Sequence, residues 1–279
     1  MSQRLLREKR ALITGGAGGI GRVVASHFLD HGASVCIVGR NSERLSSALN
    51  ELNAGSVGKA IGFRCDVADR TSVQRVVKQA NRRLGGLDIL VNCAGIQEPI
   101  GKFVDNDIAA WERNLQVNLF GSVYTCNAVI PIFLGLGGGA IINFSGGGAT
   151  SSRAYFSAYA TSKAAIVRFT EVLAEELKGT KIRVNAVAPG AINTAMLDEI
   201  LAAGSRAGKK ETVEARKRAA TGGASADLAA ELVVFLASSR SKGLSGKLIS
   251  APWDPWKSWD RSAIRQIMSE SKYNLRRIS

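Results

Sequence analysis

Short apolar runs alternate with stretches of helical periodicity along most of the chain. Runs typical of buried strands occur at residues 10–14, 34–38, 59–65, 87–91, 139–144, 181–187 and 247–250. Helical periodicity recurs at residues 71–84, 107–134 and 226–237. Strands buried on both faces read as continuous apolar runs, and strand–helix alternation pairs such strands in parallel. The pattern therefore predicts an α/β fold with one doubly wound parallel sheet in a single domain.

A glycine-rich loop joins the first predicted strand to a helical pattern that continues to Leu29. Gly15, Gly19 and Gly21 in this loop would let the backbone approach a pyrophosphate closely, and Ile20 begins the helix. The N-terminus of that helix offers N–H groups and the positive end of a helix dipole. The spacing T-G-x-x-x-G-x-G differs from the G-x-G-x-x-G fingerprint, but the physical requirement is the same. We therefore expect a Rossmann-type dinucleotide site.

The second predicted strand ends at Gly39-Arg40, where a fold that prefers NAD usually carries an acidic residue for the ribose hydroxyl. Glycine removes that carboxylate, and the guanidinium of Arg40 can pair with a 2′-phosphate. Asn41 and Ser42 could add further donors. Although Arg40 could also be an ordinary solvated charge, its position favours NADP (NADPH) over NAD as the cofactor.

Tyr159 and Lys163 lie four residues apart at the start of another apolar-periodic stretch, which places them on one face of a helix. A phenol has an ordinary pKa of about 10, and a neighbouring ammonium lowers it by favouring the phenolate. Such a pair can perform acid/base chemistry at a carbonyl or a carbinol. By itself the spacing is weak evidence, because Tyr and Lys recur at this interval on many solvated helices.

Several motifs in order resemble those of the short-chain dehydrogenase/reductase family, in its shorter, single-domain branch, over about residues 9–250. They are the Thr14–Gly21 loop, Asp66-Val67, Asn92-Cys93-Ala94-Gly95, Trp111 followed by Asn118, Tyr159-x-x-x-Lys163, and Pro189-Gly190 followed by Thr194. The resemblance implies an NAD(P)-dependent oxidoreductase that interconverts a ketone and a secondary alcohol. It also implies a homodimer or homotetramer formed through the helices that carry Asn118 and Tyr159.

The resemblance assigns roles to individual residues. Tyr159 would be the general acid/base, Lys163 would lower its pKa and bind the nicotinamide ribose, and Asn118 would hold a water linking Lys163 to solvent. Cofactor contacts would come from Gly15, Gly19, Ile20, Gly21, Arg40, Asn41, Asp66, Val67, Asn92, Ala94, Gly95, Tyr159, Lys163, Pro189, Gly190, Ile192 and Thr194. Asp66 would contact the adenine, Asn92 and Gly95 would support the adenosine side, and Thr194 would hold the nicotinamide carboxamide.

One position departs from the family pattern. The serine that usually polarises the substrate carbonyl stands thirteen residues before the tyrosine, and here that position is Gly146. Ser145 could serve if the strand end is shifted, and it is our candidate catalytic residue because glycines permit local bulges. Alternatively, Thr150, Ser151, Ser152 or a backbone N–H could substitute, or carbonyl reduction could be impaired.

The charge of +14 comes from 37 basic and 23 acidic residues, concentrated at residues 206–218 and 261–279. This excess favours a phosphate-bearing cofactor and a small polar or anionic substrate. We expect that substrate between Tyr159, residues 97–103, residues 146–155 and a mobile lid at residues 195–218. The chain has no interleaved basic and aromatic residues, so we expect no nucleic-acid partner. No apolar run approaches the length of a membrane span, so we expect no membrane partner either.

Four widely spaced cysteines lack the spacing of a zinc site, so we expect no metal, reduced thiols and a cytoplasmic protein. Residues 1–250 should form the domain and residues 251–279 a Trp-rich, basic extension. Trp253, Trp256 and Trp259 could pack on a neighbouring subunit or cap the substrate pocket, but ordinary surface or interface packing is favoured.

Two further functions compete with the oxidoreductase. One is an NADP-binding sensor or scaffold with little or no turnover, which the glycine at position 146 suggests. Retention of Tyr159, Lys163 and Asn118 argues against it. The other, a sugar-nucleotide epimerase or dehydratase, is disfavoured because that branch has a longer substrate domain and different glycine spacing.

Overall fold

The computed structural model of the chain describes residues 4–54 and 58–276. Seven parallel strands form one sheet in the order β3-β2-β1-β4-β5-β6-β7. The strands are β1 (Arg10–Thr14), β2 (Ser34–Gly39), β3 (Ala60–Arg64), β4 (Ile89–Asn92), β5 (Gly139–Phe144), β6 (Ile182–Ala188) and β7 (Leu248–Ser250). The strand order reverses direction between β1 and β4, which is where ligands bind in open α/β sheets. The predicted doubly wound parallel sheet in a single domain is confirmed.

Helices cover both faces of the sheet. They are α1 (Gly19–Asp30), α2 (Ser42–Ala54), α3 (Arg70–Leu84), α4 (Ile108–Leu115), α5 (Gly121–Gly135), α6 (Ser157–Glu176), α7 (Ala195–Ala203), α8 (Lys209–Thr221), α9 (Ala226–Ala237) and α10 (Arg261–Ser269). On one face α1, α2 and α9 contribute side chains such as Phe28 and Phe235 to the core. On the other face α3, α5 and α6 contribute Val76, Phe133 and Leu173. Burial on both faces explains why the strands read as continuous apolar runs.

The prediction of a single helix at residues 107–134 is wrong in one respect. It is two helices, α4 and α5, joined by a π-helical turn at Gln116–Phe120. Apolar periodicity continues through such a turn, so the sequence pattern does not reveal it, although π-turns often mark functional sites. Ile108–Gly135 is also long and apolar enough to pass a composition test for a membrane span, with a mean hydropathy of 1.5. In this fold it lies in the helix layer and packs against α3 and α6.

The segment predicted as a lid folds as α7, a short 3-10 turn at Gly204–Ala207, and α8. Its apolar face joins a third cluster of buried side chains, separate from the two on the sheet. The cluster contains Ile100, Phe156, Tyr159, Leu197, Ile200, Ala203, Ala207 and Ala215. The lid therefore packs directly over the helix that carries Tyr159.

The C-terminal extension packs against the sheet edge of its own chain. Trp256 and Trp259 are buried, and their ring centroids lie 5.9 and 6.5 Å from that of Phe235 on α9. The N–H of Leu248 in β7 donates to the carbonyl of Tyr273 at 2.8 Å. These two tryptophans thus complete the core of this chain rather than cap a substrate pocket, whereas Trp253 is 84% exposed.

Candidate active site at the switch point of the sheet

The loop between β1 and α1 is closely packed around its glycines. Gly15 and Gly19 have φ of 68° and 50°, in the left-handed region that favours glycine. A β-carbon at position 15 would lie 2.9 Å from the backbone of Ala94, and one at position 21 would clash with the Gly15 carbonyl. Helix α1 begins after an extended Gly18 without a side-chain cap from the described residues. This is a backbone cradle at an open helix N-terminus, which suits a diphosphate.

The cradle continues into a cleft between the ends of β1, β2 and β4. Gly15, Arg40, Asp66, Val67, Ala94 and Gly95 line this cleft together with Val38 and Val117. Arg40 also lines an adjoining pocket with Asn41 and Arg44. The Asn41 side-chain oxygen accepts from the N–H of Arg44 at 2.8 Å, so it is used within the chain and only its NH₂ remains as a donor to a ligand. Arg44, in the first turn of α2, was not predicted as a candidate.

Asp66 is paired within the chain. Its carboxylate accepts from the N–H of Ala68 at 3.0 Å and from the guanidinium of Arg113, on α4, at 2.5 Å. Partial burial raises the pKa of Asp66, but these two bonds outweigh it and hold the pKa below its ordinary value. The pair fixes the carboxylate at the cleft wall. Arg113 carries no local motif that could have linked it to Asp66, 47 residues earlier.

Asn92 lies beneath the cleft and braces the sheet. Its NH₂ donates to the side-chain oxygen of Asn143 at 2.9 Å, and its own oxygen accepts from Thr125 at 2.7 Å. The hydroxyl of Thr14 accepts from the N–H groups of Cys93 and Ala94, both at 3.1 Å, and so ties the ends of β1 and β4 together. The side chain of Asn92 thus links β4 to β5 and to α5.

The segment after β6 comes close to the glycine loop through Thr194. Thr194 caps α7 by accepting from the N–H of Met196, and its methyl carbon lies 3.6 Å from where a β-carbon of Gly19 would stand. Gly190, after Pro189, has φ of 89° and packs against Pro252. Ile192 packs on the apolar core beside α1. The fold therefore brings the predicted nicotinamide segment against the glycine loop.

Tyr159 and Lys163 share one buried face of α6, as the spacing predicts, with exposures of 7% and 4%. The ammonium of Lys163 donates to the carbonyl of Phe144 at 3.0 Å and lies 5.5 Å from the centre of the Tyr159 ring. Burial lowers the pKa of Lys163 to about 8 and raises that of Tyr159 to about 12.

That Lys163 lowers the pKa of Tyr159 stays a prediction. A charge that lowers the pKa of Tyr159 in this structure is the guanidinium of Arg153, whose carbon lies 5.8 Å from the ring centre. Arg153 was missed by the sequence analysis because it precedes the helical motif and belongs to no recognised pattern.

Asn118 lies in the π-helical turn and is fixed by hydrogen bonds. Its oxygen accepts from the N–H of Ile96 at 2.8 Å, and its NH₂ donates to the carbonyl of Ile96 and to the hydroxyl of Ser162. A β-carbon at Gly95 would lie 3.2 Å from the Asn118 oxygen and 3.5 Å from the Lys163 nitrogen. Asn118, Lys163 and the loop after β4 thus meet at one point, where a side chain at residue 95 would be tightly packed.

The structure does not support Ser145 as the replacement for the usual serine. Ser145 is buried, and its hydroxyl donates to the backbone carbonyl of Lys163 at 3.4 Å. A β-carbon at Gly146 would clash with the hydroxyl of Tyr159. The side chain of residue 145 faces α6 because neighbouring residues of an extended strand point to opposite sides. Thr150, Ser151 and Ser152 are all exposed to solvent.

The loops predicted to surround the substrate do meet beside Tyr159. The N–H of Gly101 donates to the carbonyl of Tyr155 at 2.9 Å, which joins the loop after β4 to the loop before α6. Arg206 of the lid donates to the carbonyl of Ile100 at 3.0 Å. Tyr159 therefore lies beneath α7 and α8, next to the loops that follow β4 and precede α6.

Comparison with known proteins agrees with this geometry. The family model described as short chain dehydrogenase matches residues 9–204. The chain belongs to the short-chain dehydrogenase family. A short chain dehydrogenase of Pseudocercospora fijiensis is 34% identical over 257 residues, covering 90% of this chain and 82% of the relative. An uncharacterized oxidoreductase of Staphylococcus aureus is 35% identical over 195 residues, covering 69% of this chain and 81% of the relative.

Solved structures give the same family. A short-chain dehydrogenase/reductase from Mycobacterium ulcerans superposes with a TM-score of 0.79 at 29% identity, covering 88% of each chain. An NAD+-bound xylitol dehydrogenase reaches a TM-score of 0.80, covering 88% of this chain and 98% of its own, but at 24% identity it shows the fold alone. This short-chain dehydrogenase is therefore an oxidoreductase of a family that binds NAD(P) and acts on CH–OH groups.

Proposed function

We propose that this short-chain dehydrogenase uses NADPH to interconvert a ketone and a secondary alcohol on a small polar or anionic metabolite. The observation that carries the proposal is the buried pair of Tyr159 and Lys163 on α6, where the Lys163 nitrogen would lie 3.5 Å from a β-carbon of Gly95, a residue that lines the cleft with Gly15. The cleft itself is lined by residues of three separate motifs, namely the glycine loop, Asp66-Val67 and Ala94-Gly95. Their convergence is what an oxidoreductase needs if a cofactor and a carbonyl are to meet beside a proton donor.

The preference for NADPH is supported by Arg40 and Arg44, which line one pocket beside the cleft. A 2′-phosphate there would face two guanidinium groups and the NH₂ of Asn41. No carboxylate follows β2 where a 2′-hydroxyl would need one, because residue 39 is glycine. The glycine cradle would hold the diphosphate, and the segment from Pro189 to Thr194 would hold the nicotinamide end.

The residues around Tyr159 would give a proton to the substrate oxygen or take one from it. The dinucleotide, when bound, would supply or take up a hydride. In ketone reduction the Tyr159 hydroxyl would give its proton to the substrate oxygen, and in alcohol oxidation the phenolate would take it back. Lys163 would bind the ribose and Asn118 would position a water that links Lys163 to solvent. The lid would exclude other water from the reacting atoms.

Gly146 sets a limit on the rate. Losing one hydrogen-bond donor to a developing oxyanion typically costs about 2.7–4 kcal/mol of transition-state stabilisation. Neither Ser145 nor the exposed Thr150, Ser151 and Ser152 is in place to make up the loss. We therefore expect turnover to be slow with simple ketones and faster with substrates whose carbonyl is already activated by a neighbouring polar group.

The proposed anionic substrate is supported by charges on the lid. Lys209, Lys210, Arg216 and Lys217 are exposed on α8, whereas Arg206 is bonded to the backbone of the loop after β4. Neutralising the exposed set should raise the KM of the true substrate, and an unchanged KM would remove the reason to propose an anion. We also propose a cytoplasmic enzyme without metal, membrane or nucleic-acid partners.

The proposal includes assembly of the chain into a homo-oligomer. Large apolar side chains on α4, the π-helical turn, α5 and α6 are exposed in the single chain. They include Ile108, Phe120, Leu134 and Val172. Packing a second copy of the chain against this surface would bury these side chains. The resulting assembly would be a homodimer or a homotetramer.

The test is a fluorescence titration with NADPH and with NADH, followed by a panel of ketones, keto acids and keto-sugars. Tighter binding of NADPH and its oxidation by at least one member of the panel would support the proposal. Gly146 favours one competing function, an NADP-binding sensor. Tight NADPH binding together with no oxidation on any class of carbonyl would favour that sensor.

A further inference from the structure

Arg153, in the loop between β5 and α6, contacts three other side chains through its guanidinium. Its guanidinium donates through Nε and Nη2 to the two carboxylate oxygens of Glu211 on α8, each at 2.8 Å. With its amide oxygen turned toward the guanidinium, Gln97 accepts from both Nη atoms at 3.2 Å. The guanidinium carbon lies 3.8 Å from the centre of the Phe156 ring, and the side chain is only 16% exposed. A bidentate, stacked arginine of this kind is fixed rather than solvated.

The glycine run before α6 makes room for this arrangement. A β-carbon at Gly148, where φ is 92°, would lie 2.7 Å from the β-carbon of Ala160 and 3.3 Å from that of Arg153. A β-carbon at Gly147 would lie 3.8 Å from Nη1 of Arg153. The loop can therefore lie flat on the first turn of α6, with the guanidinium beside the Tyr159 ring. The run Gly146-Gly147-Gly148, otherwise unexplained by the family pattern, thus has a structural consequence.

The groups that face Tyr159 come from four elements. Lys163 lies on the same helix, Cys93 follows β4, Glu199 belongs to α7, and Arg153 precedes α6. Burial lowers the pKa of Lys163 to about 8 and raises that of the Cys93 thiol to about 12. The carboxylate of Glu199 disfavours a phenolate. An arginine does not lose its proton in proteins, so among these four groups only Arg153 stays positive at every pH the enzyme meets.

We infer that Arg153 is a positioning residue for Tyr159, supplying the fixed positive charge beside the phenol, and that Glu211 couples this charge to the lid. The inference rests on the proposed role of Tyr159 as the proton donor. Because Glu211 partly neutralises Arg153, the charge felt by Tyr159 depends on whether α8 is in place. Closure of the lid would thus act on the group that transfers the proton, as well as on water access.

The test is a titration of Tyr159 itself by NMR, with the ring ¹³Cζ of tyrosine labelled in the full chain. The chain has four tyrosines, and the Tyr159→Phe variant identifies the signal. The variants are Arg153→Met, Arg153→Lys and Glu211→Gln, each measured with and without NADP+. Glu214→Gln is the matched control, because it makes the same change at an exposed position on the same helix.

The two halves of the ion pair should move the titration in opposite directions. Arg153→Met should raise the midpoint of Tyr159 by roughly one pH unit, since one unit charge at about 6 Å has this order of effect in a partly buried site. Glu211→Gln should lower the midpoint, because it removes the carboxylate that partly neutralises Arg153. Arg153→Lys should stay near the wild-type midpoint because it keeps the charge. Glu214→Gln should leave the midpoint unchanged.

A purely structural arginine would give a different result. If Arg153→Met and Glu211→Gln move the midpoint in the same direction, or neither moves it relative to Glu214→Gln, the inference is wrong. Should Arg153→Met fail to fold, Glu211→Gln and Arg153→Lys still decide the outcome. The titration needs no substrate, so opposite shifts with no turnover on any carbonyl would reject the proposed reaction while upholding the role of Arg153.

Discussion

The hydroxyl of Tyr159 lies directly against the backbone of Gly146. A β-carbon at position 146 would occupy the space of that hydroxyl oxygen. The absence of a side chain at residue 146 and the position of the Tyr159 phenol are therefore linked. A close-packed interior has no room for a β-carbon at residue 146 together with the hydroxyl in its present position. This relationship determines how the site should respond to substitution.

Restoring the family serine should harm this enzyme. Gly146→Ser would push Tyr159 from its position, and a misplacement of about 1 Å can cost up to about 100-fold in rate. We expect turnover to fall at least about tenfold and the free energy of unfolding to fall by about 1–3 kcal/mol. Gly147→Ser is the matched control, since a β-carbon there would meet atoms of Arg153 only at 3.8 Å or more. Turnover that rises in Gly146→Ser would contradict the account.

Cofactor preference should depend on Arg40. Arg40→Ala removes a guanidinium from the pocket proposed for the 2′-phosphate, so the Kd of NADPH should rise about 10- to 100-fold, as expected for one or two charge-assisted hydrogen bonds. The Kd of NADH should stay nearly constant. Arg83→Ala, at the exposed far end of α3, removes the same charge elsewhere and should change neither constant. Equal weakening of both cofactors by Arg40→Ala would argue against NADP.

The strands and most helices could be predicted because their signals are local. An apolar run or a 3.6-residue repeat lies within one stretch of sequence, and the predicted ends differ from the observed ones by one or two residues. The break between α4 and α5 could not be predicted, because a π-helical turn keeps the apolar periodicity. Helix α10 was missed because it follows a stretch rich in tryptophan and proline that resembles no regular element.

Replacing Lys163 should stabilise the cofactor-free protein. Its pKa of about 8 in the fold, against an ordinary value of 10.5, means that burying the charged form costs stability at neutral pH. A shift of this size corresponds to about 3 kcal/mol, and Lys163→Met would lose about 1.5 kcal/mol or more through the charge-assisted bond to the Phe144 carbonyl. The expected net gain near neutrality is at most about 1.5 kcal/mol.

The pH dependence of that gain has a definite sign. Below about 8 both folded and unfolded states hold the Lys163 proton, so the cost is constant. Between about 8 and 10.5 the unfolded state binds more protons, so the wild type gains stability as the pH rises and the advantage of Lys163→Met disappears. Urea unfolding at neutral and alkaline pH measures this, with the exposed Lys78→Met as control. An advantage that does not shrink with pH would refute this explanation.

The tryptophans of the C-terminal extension should differ in their contribution to stability. Trp256→Ala removes a buried ring that packs on Phe235 and donates to the carbonyl of Ala251 at 3.0 Å, so it should cost about 3–5 kcal/mol of unfolding free energy. Trp253→Ala, at an 84% exposed position, should cost no more than about 0.5 kcal/mol. Similar losses in thermal or urea unfolding would contradict the described packing.

The candidate site could be predicted only where a motif marks it. Spacing predicted that Tyr159 and Lys163 share a helix face and that the glycine loop precedes a helix, whereas Asn118 became a candidate only through the family resemblance. The orientation of Ser145 could not be predicted from its nearness in sequence to the usual serine position, because neighbouring residues of extended backbone point to opposite sides. Arg113 and Arg153 act through contacts between distant elements, which no local pattern reveals.

The measurement that tests the central claim most directly compares wild type with Tyr159→Phe in single-turnover oxidation of bound NADPH by an active carbonyl substrate. Removing the hydroxyl should lower the rate by about 100-fold or more, because it removes the proton donor, while the Kd of NADPH stays within about twofold. A Tyr159→Phe variant that binds NADPH and turns over at the wild-type rate would contradict the claim that Tyr159 supplies the proton.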